Sequence, residues 1–416
     1  VIRLSKERFK SFILFLLVTT SFVLTTRIWF DISIPGLFVM PTRQPQPEVT
    51  YDKEQLLRPD KLVVHTGANH TLLFNDQKSG ALYQSVLKGA DDILRDWLTN
   101  YESYQTTSRP LEKLTDIRNS ESVELIFDKG MDIENIRVLL NAEKNPWNNI
   151  KNINSIVLDP RDRRLYVVDE NKKTIFQFSS SQMVTKLAGD IAEIEKSSSF
   201  ASYVFLNDYN KATYSLYGDY AIAPLSVLTM PALNVKKEIE PDVKKTDAVE
   251  VFFGDNREEL SAGVKDIEGK VTFTDREEKT LTINQDGTLE YYKFNVASDS
   301  EKNAELKDAV DIATQYVANH LGFNHDFYLS DVKSRQQGGR TSHIFSFNYK
   351  YNGMPIITDL DSSKGAVVVE ILGKEVVRYK RSVRVIEETG QDVQIKTVFD
   401  ILDSVWGVLN EKLNTS

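Results

Sequence analysis

The sequence predicts an α+β fold, on three observations. Short apolar runs alternate with polar residues and end at Gly, Asn or Asp turns, the signature of antiparallel strands with one covered face. Between them lie segments whose apolar residues recur three and four apart, as on the buried face of a helix. A hydrophobic fraction of 41% with 10% aromatics supplies real cores, and 416 residues at roughly 100–200 per domain allow about two to four domains. The expected whole is a single N-terminal transmembrane helix followed by a multi-domain extracytoplasmic body of antiparallel sheets and packed helices.

The chain opens on a basic stub, residues 1–10, with Arg3, Lys6, Arg8 and Lys10. Residues 11–34 read as the membrane helix. Phe12 to Thr26 carry no charge, and extension through Phe30 approaches the roughly 20 residues needed to cross about 30 Å of hydrocarbon. Arg27 can snorkel and Trp29 suits the interface. No small-x-small cleavage site follows, so an uncleaved anchor is expected, with its N-terminus in the cytoplasm and the bulk of the chain outside. Thr19 and Thr26 share a helix face; from composition alone each hydroxyl bonds a carbonyl one turn back and faces lipid. Five prolines in residues 35–60 make a semi-extended linker.

Residues 61–197 form the expected N-terminal α+β domain. KLVVHT and HTLLF flank a turn at Gly67, and Leu82, Val86, Leu87, Ile93, Leu94 and Trp97 set a helix over 81–98. Strands VELIF, INSIVLD, RRLYVVD and TIFQF follow, with helices over 133–140 and 181–196. Residues 198–297 form a central β-rich domain: SYVFL and YAIAP are strand-like, and AVEVFFGD opens a meander through KVTFTD, KTLTIN and TLEYYKF. Residues 298–416 form a C-terminal helix-plus-sheet domain, with a helix over 304–321, strands from DFYLSDVKS to EVVRYKRSVRVI, a hairpin at Asn352-Gly353, and a last amphipathic helix over 398–413.

Composition excludes whole classes of chemistry. With no cysteine there is no disulfide, thiolate zinc site, iron–sulfur cluster or cysteine nucleophile. Past residue 34 the chain carries a net charge of −12, unsuited to general nucleic-acid binding, so no nucleic-acid partner is expected. His65/His70 and His320/His325 repeat an H-x4-H spacing, but the first pair faces across a hairpin and the second brackets a helix end. Neither matches a helical zinc-protease pair, and no metal is assigned. Asp359-Leu360-Asp361 lacks the later ligands of a calcium loop. The run Arg378-Tyr379-Lys380-Arg381 reads as one polar sheet face. With no nucleophile elbow or phosphate loop, neither a catalytic residue nor a cofactor is assigned, which favours a binding or regulatory role. An exported cell-wall-active hydrolase and a passive binding or chaperone-like domain are the alternatives.

Several stretches carry a resemblance to a known family. SFVLTTRIWF looks like the Ser-Leu-x-Leu-Thr-x-x-x-Trp end of that family's membrane helix, and PDKLVVH like its entry strand. VEVFFGD and TFTDREEKTLTINQDGTLEYYKF are similar to its central meander, and FSFNYKYNGMPII and EVVRYKRSVRVI to its late strands. The chain resembles the YycH family, membrane-anchored regulators of the YycFG (WalRK) two-component system of Gram-positive bacteria. It departs at Gly353-Met354-Pro355, where Gly-aromatic-Pro is more usual. The resemblance implies a non-enzymatic regulator with a YycG/WalK-like sensor histidine kinase and a YycI-like sister protein as partners, and cell-wall metabolism as output. A partner-facing role for the membrane face of Thr19, Val23, Thr26 and Trp29 then stands level with the lipid-facing one.

Overall fold

A computed structural model describes residues 52–400, apart from 77–78, 144–146, 148, 182–185, 198–199, 207–219, 243–246, 254–262, 276–277, 295–302, 324–325, 338, 357–364, 396 and 398–399. Two nine-stranded sheets build it: in each, apolar alternation pairs the strands, and an amphipathic helix covers one face.

In chain order the first part holds β1 (Lys61–Thr66), β2 (Asn69–Leu73), α1 (Gly80–Thr99), β3 (Gln105–Pro110), α2 (Leu114–Arg118), β4 (Ser122–Met131), α3 (Ile133–Leu139), β5 (Ile153–Asp159), β6 (Arg164–Asp169), β7 (Thr174–Ser179) and α4 (Leu187–Lys196). With β8 (Tyr203–Phe205) and β9 (Ile222–Pro224) these strands make one sheet, ordered β3-β7-β6-β5-β4-β1-β2-β8-β9. Every pairing in it is antiparallel.

The alternation along β1 decides the layers. Leu62 and Val64 join the core cluster that includes Val86, Leu94 and Trp97 of α1. Val63 points the other way, into a smaller cluster with Ile117, Val168, Phe205 and Tyr220. Both faces of β1 are therefore buried, which explains its unbroken apolar reading.

The second part holds β10 (Leu228–Lys237), α5 (Asp247–Phe253), β11 (Val264–Lys265), β12 (Val271–Thr274), β13 (Lys279–Ile283), β14 (Leu289–Lys293), α6 (Leu306–Asn319), β15 (Asp326–Gln337), β16 (Arg340–Tyr351), β17 (Met354–Pro355), β18 (Val367–Leu372), β19 (Glu375–Arg381) and β20 (Arg384–Ile395). Its main sheet runs β11-β12-β13-β14-β19-β18-β16-β15, with β17 paired to β16. Strands on either side of residue 297 thus hydrogen-bond into one sheet, joined where Tyr291 opposes Tyr379. α6 lays Ala309, Val310, Ala313 and Val317 onto it. β10 and β20 form a separate two-stranded ribbon.

Three sequence expectations are corrected. AVEVFFGD is not a strand: residues 247–253 are α5, and Val249, Phe252 and Phe253 are buried at helical spacing. Phe252 packs against the rings of Tyr291, Tyr379 and His320. The long run EVVRYKRSVRVI is two strands, broken at Ser382-Val383, so that β19 serves the sheet and β20 the ribbon. The basic run is not one polar face: Tyr379 and Arg381 are buried, while Arg378 and Lys380 alternate outward. Among the described residues no helix is long and apolar enough to cross a membrane. The expected span 11–34 and most of the expected last helix, 398–413, lie outside them.

Candidate functional site

Two features stand out, a sealed charge cluster and a cleft beside it. In the cluster, His65 of β1 and His70 of β2 lie opposite each other in the hairpin register, with their Nδ1 atoms 2.9 Å apart. His65 Nε2 is 3.2 Å from Glu124 Oε2. Arg118, at the end of α2, donates to both oxygens of Glu124 at 2.8 and 2.9 Å, and its guanidinium lies 3.7 Å over the Phe205 ring. A carboxylate only accepts, so His65 donates from Nε2. With one proton on each ring, His70 then donates from Nδ1 to His65 Nδ1.

These groups are 0–5% exposed. Glu124 keeps its charge despite burial, because Arg118 and the His65 hydrogen bond hold its carboxyl well below the usual range. Burial, with Arg118 and His65 nearby, pushes the His70 ring down to about 4. The cluster is an internally satisfied support for the β1–β2 hairpin. Among the described residues no group of three or more His, Asp or Glu could hold a metal ion.

The sequence pairs are placed as follows. His65 and His70 meet, as their hairpin spacing predicts, and Glu124 and Arg118 complete a group that spacing alone did not reveal. His320 caps α6 and donates from Nδ1 to the Tyr316 carbonyl at 2.8 Å, while burial pushes its pKa down. His325, Asp359 and Asp361 lie outside the described residues, as do Thr19, Val23, Thr26 and Trp29.

The cleft opens where the first sheet splays. β2 and β8 share a single bridging pair, His70 with Tyr203, and then part. A cavity of about 710 Å3 occupies the gap. Leu72, Leu73 and Phe74 line it together with Phe200, Ala201 and Tyr203, Leu228–Met230 of β10 and the Gly353–Pro355 turn. Gly353 (φ +78) comes so close to the Phe74 and Asn75 backbone that no side chain fits there.

Charged groups at the cleft are already engaged. Lys61 pairs with Asp128. Asp76 accepts from Ser79 at 2.7 and 2.8 Å. Lys350 donates to the Pro59 carbonyl and, at 3.3 Å, to that of Asp60; burial pushes its pKa down to about 8. Asp60 accepts from Tyr328 Oη at 3.0 Å and from the Asp128 amide at 2.9 Å, and burial raises its pKa. The side chains left without such engagement at the cleft are mostly apolar, among them Leu72, Phe74, Phe200, Met230 and Met354.

The sequence matches no family profile and no curated protein. Among solved structures, the chain is similar to the crystal structure of YycH from Bacillus subtilis, with a TM-score of 0.53, 12% identity, and 83% of this chain and 85% of that one covered. A second solved structure, an uncharacterized protein from Eubacterium rectale, aligns over 45% of this chain and 68% of that one, with 11% identity and a TM-score of 0.30. The chain has a YycH-like fold.

Proposed function

We propose, from this fold, that the chain is a non-enzymatic extracytoplasmic regulator of a YycG/WalK-like sensor histidine kinase. It acts in a YycFG-type (WalRK) two-component system controlling cell-wall metabolism, together with a YycI-like sister protein. The likeness to YycH over 83% of the chain carries the reading. Two further features support it. The uncharged run from Phe12 to Thr26 suits a membrane anchor, followed by the linker 35–60. Among the described residues the buried His65, His70, Glu124 and Arg118 hydrogen-bond to one another, as a structural support does.

In this reading residues 1–10 are cytoplasmic, residues 11–34 span the membrane, and the face of Thr19, Val23, Thr26 and Trp29 packs against a partner helix. A body that binds a partner differently in two arrangements biases the kinase by shifting that packing. The test is a pull-down with detergent-solubilised full-length protein from its native membranes. A sensor histidine kinase is expected in the eluate, and its absence overturns the proposal. Replacing residues 11–30 with an unrelated membrane helix is expected to change kinase output; unchanged output together with unchanged co-purification removes the membrane-helix part.

A further inference from the structure

We propose that the cleft between β2 and β8 is a docking slot for an extended, uncharged apolar peptide strand, which it receives by completing the interrupted sheet. The hydrogen-bond ladder supplies the first argument. After the single pair His70–Tyr203, continued pairing would set Thr71, Leu72 and Leu73 against Ser202, Ala201 and Phe200. Instead the pairing stops, and Leu72, Leu73, Phe200 and Ala201 line the cavity. Among the described residues β2 pairs only with β1 and β8, so the outer edge of Thr71–Leu73 has no strand beside it. β10 likewise pairs only with β20.

The lining residues supply the second argument. Side chains alternate faces along a strand, so a cavity on one face touches every second residue. Here three consecutive residues of β10, Leu228–Met230, and the consecutive run Leu72–Phe74 line it, so the cavity reaches the edges of both strands, with Leu62 of β1 and Tyr83 of α1 lining it from the helix-covered face. An edge presents unpaired N–H and C=O groups, the template that an added strand uses.

Charge selects the occupant. The cavity is lined by Asp60, Asp76 and Asp128 and by Lys61 and Lys350, and each is held by a partner within the protein. A charged visitor would have to break one of those pairs inside an apolar cleft, whereas an uncharged one leaves them intact. At about 3.3 Å per residue, the edge of β2 accommodates three to five residues of visiting strand. The inference stands apart from the regulatory reading, since it names an occupant by chemistry alone.

The test uses the full chain in phosphatidylcholine nanodiscs and a capped peptide, acetyl-Thr-Val-Thr-Val-Thr-amide, with a diazirine at its centre. Crosslinks are expected in the peptides carrying residues 71–74, 200–203 and 228–230. N-methylation of alternate amides, which removes the backbone donors, is expected to lower crosslinking at least tenfold, and a Lys- or Glu-substituted peptide to lower it similarly. Thr229→Trp, at an exposed position of β10, is expected to block the slot while leaving the fold intact by circular dichroism. Equal labelling by the N-methylated peptide, labelling confined to other residues, or a diazirine fatty acid taking the cleft in preference to the peptide each overturns the proposal. The kinase pull-down does not use this peptide, so failure of one leaves the other readable.

Discussion

Arg118 and Glu124 form a two-bonded ion pair sealed from water, at 2.8 and 2.9 Å, with the Phe205 ring as its lid. Removing one partner from such a pair strands a charge in a medium that cannot solvate it. Arg118→Met is therefore expected to cost about 3–5 kcal/mol, measured as a shift in urea midpoint at pH 7. A loss below about 1 kcal/mol would mean that water reaches Glu124.

His70 carries a pH signature of known sign. Its folded pKa, about 4, lies below the ordinary value of 6.5. Between these the unfolded chain takes up a proton that the folded one refuses. Stability therefore falls as pH drops from about 6.5 to about 4, by roughly 2–3 kcal/mol. His70→Gln cannot titrate, so its urea midpoints at pH 7.5, 5.5 and 4.5 should lie closer together than those of the parent. An unchanged acid slope would assign the effect to other groups.

Asp91 of α1 behaves in the opposite sense. Burial pushes its carboxyl up to about 7, against the pull of Arg58 and Arg95. The folded state then holds a proton that the unfolded chain has released, and stability falls as pH rises from about 4 to about 7. Asp91→Asn should flatten that slope and raise stability at pH 8 by about 1–3 kcal/mol. Thermal melts across this range provide the measurement, and a parallel slope in the variant would refute it.

Gly353 sits where the β16–β17 turn meets the chain leaving β2. Its φ is +78, and a Cβ there would strike the backbone of Phe74 and Asn75. Gly353→Ala is expected to destabilise by about 2–4 kcal/mol, because strain and a backbone clash coincide. Hydrogen exchange should show the loss concentrated in residues 69–75 and 349–355; exchange unchanged in both stretches would place the contact elsewhere.

Much of the fold was legible wherever one period ruled. The hairpin about Gly67, the helix beginning near Ala81 and the turns at Asn352-Gly353 and Gly373 follow from alternation, helical spacing and left-handed glycines. Residues 247–253 defeated that reading because Val249, Val251 and Phe253 alternate like a strand, while Val249, Phe252 and Phe253 also suit a helix; the covered face of the second sheet decides for the helix. β3 and β10 were missed because they are polar or exposed, with no apolar stripe to announce them. Of the candidate site, the His65–His70 contact was readable from hairpin register. Glu124 was not, since its contact with His65 depends on β4 lying beside β1, and Arg118 reaches Glu124 from the end of α2. The splay between β2 and β8 is likewise an interruption of pairing, which leaves no mark in either strand's sequence.

The first described residues already bind the second sheet before the first sheet begins. Lys53 pairs with Asp311 of α6 at 2.6 Å, Pro59 takes a hydrogen bond from Lys350, and Asp60 takes one from Tyr328. The Asp60 amide also donates to Ile126 of β4 at 2.8 Å. Mechanically, this is a shared load path. A pull along the chain at residue 52 is therefore delivered to both sheets at once, before it reaches β1.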